Sequence, residues 1–247
     1  MEVVISEKIK DRDNFVAGVR KGLTIAFGYI PIAIAFGILA RSNGIPLHII
    51  IAMSIIVYAG ASQFVAVKLI ALNAGLWGIV LATFILNLRH FLMSASVSQR
   101  INKKTATGLL AIISFGITDE SFSLISLSEE KVLDDKYVFG INLIAYLSWV
   151  AGTVIGVFMG TTLPEIIQSS MGIALYSMFI GLLIPALKKS RKVKIIALIS
   201  IVISSLMYWG PSFVSSISDG WKIIIATITA AGIAAFFFSD KEEGWKR

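Results

Sequence analysis

The sequence has 247 residues, of which 56% are hydrophobic and only 15% are charged, and its formal net charge is +7. A soluble domain has about a quarter charged residues, so this composition excludes a soluble globular domain. The chain has no cysteine and two histidines, which excludes disulfides and metal cages built from these residues. We therefore expect no metal ion and no cofactor.

The first 21 residues are predicted to form a cytoplasmic N-terminal segment. Within residues 8–20, Ile9, Phe15 and Val19 share one helical face, and the basic residues lie elsewhere on the helix. This pattern is typical of a short amphipathic helix that lies on the membrane surface. The alternative is a solvated leader.

Eight apolar runs follow, and each is long enough to cross a hydrocarbon core of about 30 Å. They cover approximately residues 22–40, 47–72, 75–98, 107–128, 137–160, 164–186, 193–209 and 221–238. The sequence therefore predicts an all-α, polytopic helical membrane protein in a lipid bilayer. We expect one transmembrane domain at 22–240 and a cytoplasmic tail at 241–247.

Lysine and arginine concentrate in four segments, at 8–21, 89–104, 188–194 and 241–247. Such segments favour the cytoplasm, so the positive charge indicates membrane orientation, and we expect no nucleic-acid partner. If all eight runs crossed the membrane from a cytoplasmic N-terminus, the basic stretch around Arg100 would lie outside. The rule is satisfied if the second and fourth runs are broken or re-entrant hairpins and the other six are full spans. Eight plain spans remain the alternative.

The second and fourth runs also contain two similar motifs, GASQF at 60–64 and GITDESF at 116–122. Each has a glycine, a hydroxyl residue, a polar group and a phenylalanine in the same order. A span followed by a hairpin, repeated with opposite orientation, would be an inverted repeat. That architecture places substrate sites near the membrane midplane at interrupted helices.

The motif YAGASQF at 58–64 interrupts an apolar run. Non-helical backbone at this depth is tolerated only against protein or a water-filled cavity. We expect its small residues to leave room for a ligand, its serine and glutamine to offer neutral hydrogen-bond partners, and nearby aromatic rings to enclose an apolar group. The candidate substrate-binding residues are Tyr58, Gly60, Ala61, Ser62, Gln63, Phe64 and Phe122. The alternative is that the small residues only let helices pack closely.

Asp119 and Glu120 lie inside the fourth apolar run. A carboxylate near the bilayer centre costs at least about 2.5 kcal/mol, so two adjacent ones need a reason. We expect the pair to hold a ligand ammonium group, to relay protons, or to do both. The alternative is that the run ends early and the acids lie in an interfacial loop.

Asn87, Arg89 and His90 form a further polar group in the third run. Arg89 either snorkels to the membrane interface, pairs with one of the two acids, or binds a carboxylate through two guanidinium nitrogens. Asn87 and Arg89 are thus candidates for an ion-pair or gating role. His90 is a candidate for proton coupling because histidine changes its charge near neutral pH.

At these motifs the sequence resembles the AzlC family of branched-chain amino acid exporters. The resemblance extends from about Phe15 to Pro185 and rests on Pro31 and Gly37, AGASQF at 59–64, NLRH at 87–90 and TDESF at 118–122. It implies a secondary exporter of valine, leucine and isoleucine that works with a small AzlD-type membrane partner. It carries no assigned catalytic residues, so the roles given above rest on the residues alone.

We therefore expect a multi-pass transporter in the cytoplasmic membrane, with a cytoplasmic N-terminus and a transport domain at 22–240. Its expected activity is the export of neutral branched-chain amino acids coupled to protons. A passive channel and a membrane-embedded enzyme are the alternatives. An enzyme is disfavoured because the chain has neither an H-E-x-x-H nor a G-x-S-x-G motif.

Overall fold

The computed structural model describes residues 2–128, 130, 132–160, 164, 166, 172–189, 191–211, 217 and 219–238. These residues form helices joined by short connections, and Ile101 and Leu133 form an isolated parallel bridge. The prediction of a polytopic all-α membrane protein is confirmed. The predicted tail at 241–247 lies outside the described residues.

The first helix, α1, runs from Glu2 to Ser42 without interruption and contains Pro31. The segment 8–20, predicted as a short surface helix, is helical and continues directly into the first span. The part Asn14–Ser42 is long and apolar enough to cross a membrane.

The second apolar run is broken in its middle. Helix α2 covers Leu47–Ala52 and continues as a π-helical turn at Met53–Val57, and helix α3 covers Gly60–Ala71. Between them, Tyr58 has a φ of 44°, a left-handed conformation that a bulky residue rarely adopts. The predicted interruption is present, and Gly60 begins the second half-helix.

The fourth apolar run is also broken, and it follows a full span, α4, at Leu76–Ser98. Helix α5 covers Thr107–Phe115 and helix α6 covers Asp119–Ser126, and the pair is bent by 115° at the break. A bend larger than a right angle turns α6 back toward the side from which α5 enters.

The remaining helices are α7 at Asp135–Met159, α8 at Gly172–Lys189, α9 at Arg191–Trp209 and α10 at Asp219–Phe238. The chain forms two compact units. The first contains Met1–Val67 and Leu86–Leu175, and the second contains Lys68–Ile85 and Tyr176–Arg247, in which α9 packs against α10. All the motifs described above lie in the first unit.

Four helices in the described parts of the chain are long and apolar enough to span a membrane, or five if the bent α5–α6 pair is one span. The four are α1, α4, α7 and α9. Helices α8 and α10, at the sixth and eighth runs, are not among these four, and both include residues whose side chains the structure does not describe, so the six full spans stay a prediction. The sixth run also overlaps residues that the structure does not describe.

Helices α1 and α7 pack together along their length through glycines. A Cβ added to Gly18 would collide with the carbonyl oxygen of Tyr137 near the start of α7. A Cβ added to Gly156 would collide with the carbonyl oxygen of Ile34. Small residues let helix backbones approach closely in lipid, where burial of apolar surface drives little association. Because the contacts advance along both helices together, α1 and α7 are parallel.

Arg100, just after α4, shows that the fourth run is a re-entrant hairpin. Its guanidinium donates to the carbonyl oxygens of Ile125 and Ser128 at the end of α6, at 3.3 and 2.9 Å. A cation at this position also favours the helix dipole. The Thr105 hydroxyl, just before α5, donates to the Asp135 carboxylate at 2.8 Å, at the start of α7. The entry of α5 and the exit of α6 therefore lie on the same side.

The end of α4 lies on the side where α1 begins. The Leu133 N–H donates to the Arg100 carbonyl oxygen at 2.7 Å, so α4 ends beside the start of α7. Since α7 is parallel to α1, Lys103, just after α4, lies on the same side as the beginning of α1. This position agrees with the predicted hairpin in the second run and disagrees with eight plain spans.

Cysteine labelling tests this topology, because the chain has no cysteine of its own. Asn43→Cys lies just after α1 and Lys103→Cys lies just after α4. We expect the two variants to react with a membrane-impermeant thiol reagent from opposite sides, in intact cells and in inverted vesicles. Eight plain spans would place both residues on the same side, so labelling of both from one side would contradict the hairpins. The cysteine-free parent protein provides the background.

Candidate functional site

One face of α7 contacts both helix breaks. Its polar and aromatic residues, spaced by four, three and four, are Asn142, Tyr146, Trp149 and Thr153. Such spacing places side chains on one side of a helix. A Cβ added to Gly60, at the first break, would lie 2.9 Å from the Trp149 ring. One added to Gly116, at the second break, would lie 2.8 Å from the Asn142 Cβ. Glycine is required at both breaks because α7 approaches so closely.

Gln63 ties the first break to α7. Its Oε1 accepts hydrogen bonds from the Ala59 N–H and the Trp149 Nε1–H, both at 3.1 Å. Its Nε2 donates to Ser54 Oγ at 3.1 Å, and Ser54 Oγ lies 2.8 Å from Thr153 Oγ1. The side chains of Ser54, Gln63, Trp149 and Thr153 are all buried. A hydrogen bond is electrostatically stronger in such a region of low dielectric constant than in water. The network fixes the relative position of the two half-helices.

The polar groups of the first motif bond to the protein itself. Ser62, like Ala61, is buried, and its hydroxyl donates to the Ala59 carbonyl oxygen at 2.9 Å. Substrate contact by the side chains of Ser62 and Gln63 stays a prediction, and their observed partners are structural. The first turn of α3 also leaves backbone N–H groups without acceptors inside the helix, and Gly60 is the first of them.

The second break is capped at the start of α6. Thr118 Oγ1 accepts from the Ser121 N–H at 3.4 Å, and Ser121 Oγ accepts from the Thr118 N–H at 2.8 Å, which is a capping box. Asp119 and Glu120 occupy the first turn of α6, where the helix dipole favours negative charge. The acids therefore lie at a half-helix terminus inside the hairpin.

The two acids have different partners. Asp119 Oδ2 forms an ion pair with Arg89 at 3.0 Å. Glu120 Oε2 lies 2.5 Å from the Tyr29 hydroxyl, which also lies 2.7 Å from Thr118 Oγ1. Tyr29 donates to Glu120 when that carboxylate is charged, and it can accept from Glu120 and donate to Thr118 when the acid is protonated. Asp119 thus faces a cation, whereas Glu120 faces a neutral group that suits both of its charge states.

Three rings join the two breaks. Tyr58 from the first break lies 5.0 Å from Tyr146 of α7 and 6.1 Å from Phe115 of the second break, and Phe115 and Tyr146 are 6.1 Å apart between centroids. We call these three residues the aromatic triad. The Tyr146 hydroxyl donates to the Ile55 carbonyl oxygen at 3.0 Å. The Tyr58 hydroxyl is buried and has no hydrogen-bond partner among the described residues.

The structure does not bring the other two predicted rings into the triad. Phe64 is buried and packs edge-on against Phe36, with centroids 5.5 Å apart. Phe122 is partly buried against the core. The position of Phe64 is typical of a core residue, and contact of either ring with substrate stays a prediction.

His90, next to Arg89 on α4, lies near the Arg89–Asp119 ion pair. His90 is half-buried and close enough to Asp119 for an electrostatic interaction. Asn87 Oδ1 and Arg89 Nε are buried atoms without a hydrogen-bond partner in the described part of the chain. In that part, no group of three or more histidine, aspartate or glutamate side chains is placed to hold a metal ion.

Several residues of this site are absent from the sequence-based candidates, among them Tyr29, Asn142, Tyr146 and Trp149. A signal for Asn142 exists, because a polar amide inside an apolar run of membrane-spanning length is rare and commonly functional. Tyrosine and tryptophan carry no such signal, since both are common in membrane helices. Their role depends on the packing of α7 against the breaks.

The described chain is thus a polytopic helical membrane protein in which two broken hairpins meet one polar face of α7. The chain belongs to the AzlC protein family, whose model matches residues 24–163.

Several curated relatives are similar over most of the chain. The inner membrane protein YgaZ of Escherichia coli is 31% identical over 74% of this chain and 78% of its own length. An uncharacterized membrane protein of Archaeoglobus fulgidus is 34% identical over 68% of this chain and 76% of its own length. The branched-chain amino acid transport protein AzlC of Bacillus subtilis is 28% identical over 69% of this chain and 66% of its own length. No solved structure matches the chain.

Proposed function

We propose that this protein is a secondary transporter that exports neutral branched-chain amino acids across the cytoplasmic membrane in exchange for protons. Family membership and the transport activity named for the Bacillus subtilis relative support the class. The observation that carries the mechanism is the meeting of two helix breaks on α7, with an acid pair at one of them.

The two breaks offer complementary partners for a zwitterion. The first turn of α3, beginning at Gly60, presents free N–H groups and the positive end of a helix dipole, which favour a carboxylate. The α6 terminus presents Glu120, which favours an ammonium group. The aromatic triad, between the breaks, offers apolar surface for a branched side chain. One methylene in such a pocket is worth about 1–3 kcal/mol, so valine, leucine and isoleucine should be poorly discriminated.

Glu120 supplies the coupling in this proposal. Its carboxylate binds either a substrate ammonium group or a proton, and the two exclude each other. A proton that enters from outside therefore releases the amino acid, and its departure to the cytoplasm restores the binding state. Asp119 keeps Arg89 as its partner. We assign this ion pair, together with Asn87, to gating. His90 is proposed to pass protons between the cytoplasm and the acid pair.

Orientation and partner complete the proposal. The basic residues after α4 lie on the same side as the start of α1, and positive segments favour the cytoplasm, so we place the N-terminus inside. We also propose that a small AzlD-type membrane protein assembles with the chain. Its contribution is tested below by its addition or omission.

Efflux from proteoliposomes tests the proposal. Vesicles loaded with labelled leucine, with and without the small partner, are diluted into buffer of equal or lower pH. We expect an acidic exterior to accelerate leucine efflux, and a protonophore to remove the acceleration. Leucine efflux that is the same with and without the pH gradient would indicate a passive channel instead. Leucine flux at the rate of empty liposomes in both preparations would contradict transport of this substrate class.

A further inference from the structure

Two buried oxygen atoms near the second break, Tyr58 Oη and Asn142 Oδ1, have no hydrogen bond of good geometry within the described chain, and the Tyr29 hydroxyl lies close to Tyr58 Oη. Both residues are 3% exposed, so water does not readily satisfy them. A buried polar atom without a hydrogen bond is costly, and such atoms in a native protein commonly face a ligand. These two atoms therefore need an explanation that the mechanism above does not supply.

Both residues are held firmly in place. Asn142 Nδ2 donates to the Ile113 carbonyl oxygen at 2.9 Å, which uses the amide nitrogen and leaves its oxygen free. Tyr58 is held in its left-handed conformation, and its ring packs against Phe115 and Tyr146. Strained backbone of this kind persists where the surrounding structure enforces it, and it is common at binding sites.

The two atoms lie near the Glu120 carboxylate. Tyr58 interacts electrostatically with Glu120 and with Tyr29, which is itself bonded to Glu120. Asn142 contacts Gly116, which lies four residues before Glu120 on the other side of the break. All three groups present acceptor oxygens, and the nearby cation, Arg89, is already paired with Asp119. Three acceptors with one unpaired negative charge match a primary ammonium group, which has three N–H donors.

We infer that Tyr58 Oη, Asn142 Oδ1 and the Glu120 carboxylate together bind the ammonium group of the transported amino acid. This inference rests on the proposed function and adds to Glu120 two residues, Tyr58 and Asn142, that the sequence did not indicate for an ammonium site. The rings of the aromatic triad add to the binding, because a cation is attracted to aromatic faces. The free N–H groups of α3 begin two residues after Tyr58, which suits the carboxylate on the same carbon atom.

The substitution Tyr58→Phe tests this inference with little risk to folding. It removes one unpartnered hydroxyl and keeps the ring, so the melting temperature without ligand should stay equal or rise. Loss of one hydrogen bond to a charged group should weaken leucine binding about tenfold or more. Binding is measured on the purified full chain by ligand-induced thermal stabilisation. The matched control is Tyr137→Phe, at the start of α7, which should bind leucine as the parent protein does.

Three probes separate the groups of the ligand. Leucine carries both charges, 3-methylbutylamine carries only the ammonium group, and 4-methylpentanoate carries only the carboxylate. We expect Tyr58→Phe, and likewise Asn142→Leu, to weaken the binding of leucine and of 3-methylbutylamine. The binding of 4-methylpentanoate should stay unchanged. Wild-type leucine affinity in Tyr58→Phe would overturn the inference, as would equal losses for all three probes.

Further outcomes separate a failure of this inference from a failure of the proposed function. If sodium chloride stabilises the parent protein more than choline chloride does, and Tyr58→Phe removes that difference alone, the atoms bind a metal cation and the inference is wrong. If the parent protein binds neither leucine nor 3-methylbutylamine, both the inference and the proposed function fail. Leucine binding that neither substitution affects would leave the proposed function standing without this site.

Discussion

Replacement of Glu120 with glutamine is expected to abolish the pH dependence of leucine efflux while the protein still folds. Glutamine keeps the size of the side chain and can still bond to the Tyr29 hydroxyl, but it cannot take up a proton. The ratio of efflux with and without an acidic exterior should therefore fall to about one, the value expected without proton linkage. The measurement is labelled leucine efflux from proteoliposomes at equal protein content, and the melting temperature checks folding.

Two comparisons make this result specific. Glu130→Gln removes an exposed carboxylate at the membrane surface and should leave coupling unchanged. Asp119→Asn removes the partner of Arg89, so we expect a lower melting temperature in addition to any loss of transport. Normal coupled efflux in Glu120→Gln would remove this residue from the coupling mechanism.

The substitution Gly156→Ala is expected to lower the stability of the protein strongly. The new methyl group would collide with the Ile34 carbonyl oxygen and the adjoining backbone of α1, which cannot rotate away as a side chain does. Insertion of a methyl group into a well-packed site typically costs about 1–3 kcal/mol, and a clash with backbone places this variant at the upper end. Thermal unfolding of the purified protein in detergent measures the change.

Gly28→Ala on α1 is the matched control, because a Cβ there meets nothing within 4 Å. Alanine favours helix over glycine by about 1 kcal/mol, so this variant should be neutral or slightly more stable. Equal melting temperatures for Gly156→Ala and Gly28→Ala would show that the glycine contacts between α1 and α7 contribute little.

The helix breaks were predictable because their residues are small or polar, whereas the residues around them are apolar. Glycine, serine and glutamine at 60–63, and two acids at 119–120, interrupt long apolar runs, and the hydrocarbon core tolerates such residues only for a structural or functional reason. The basic residues after α4 indicated the hairpins independently, because these residues would lie outside the cell if all eight runs crossed the membrane. Composition and the charge rule were therefore enough to locate the breaks.

The partners of these residues were not predictable. Gln63 was expected to face a ligand, yet its amide bonds to Ala59, Trp149 and Ser54. Which acceptor a buried amide finds depends on the distance between helices, and that distance is set by packing along the whole helix. For the same reason, Arg100 was expected only to indicate orientation, and its bonds to the end of α6 depend on where backbone carbonyl groups lie in space.

The glycine contacts between α1 and α7 also limit which parts of the first unit can move. Sliding or tilting of one helix against the other would bring backbone atoms into collision, so the pair acts as a rigid frame. In the proposed transport cycle, access to the site from alternate sides would then arise from displacement of the hairpins and α4 relative to that frame. Because Gln63 and Asn142 attach the two hairpins to the same helix, one of these attachments has to loosen for each hairpin to open. A transport cycle in this protein would thus depend on two separate contacts with α7, one at Gln63 and one at Asn142. The order in which these contacts break would decide the direction in which the site opens.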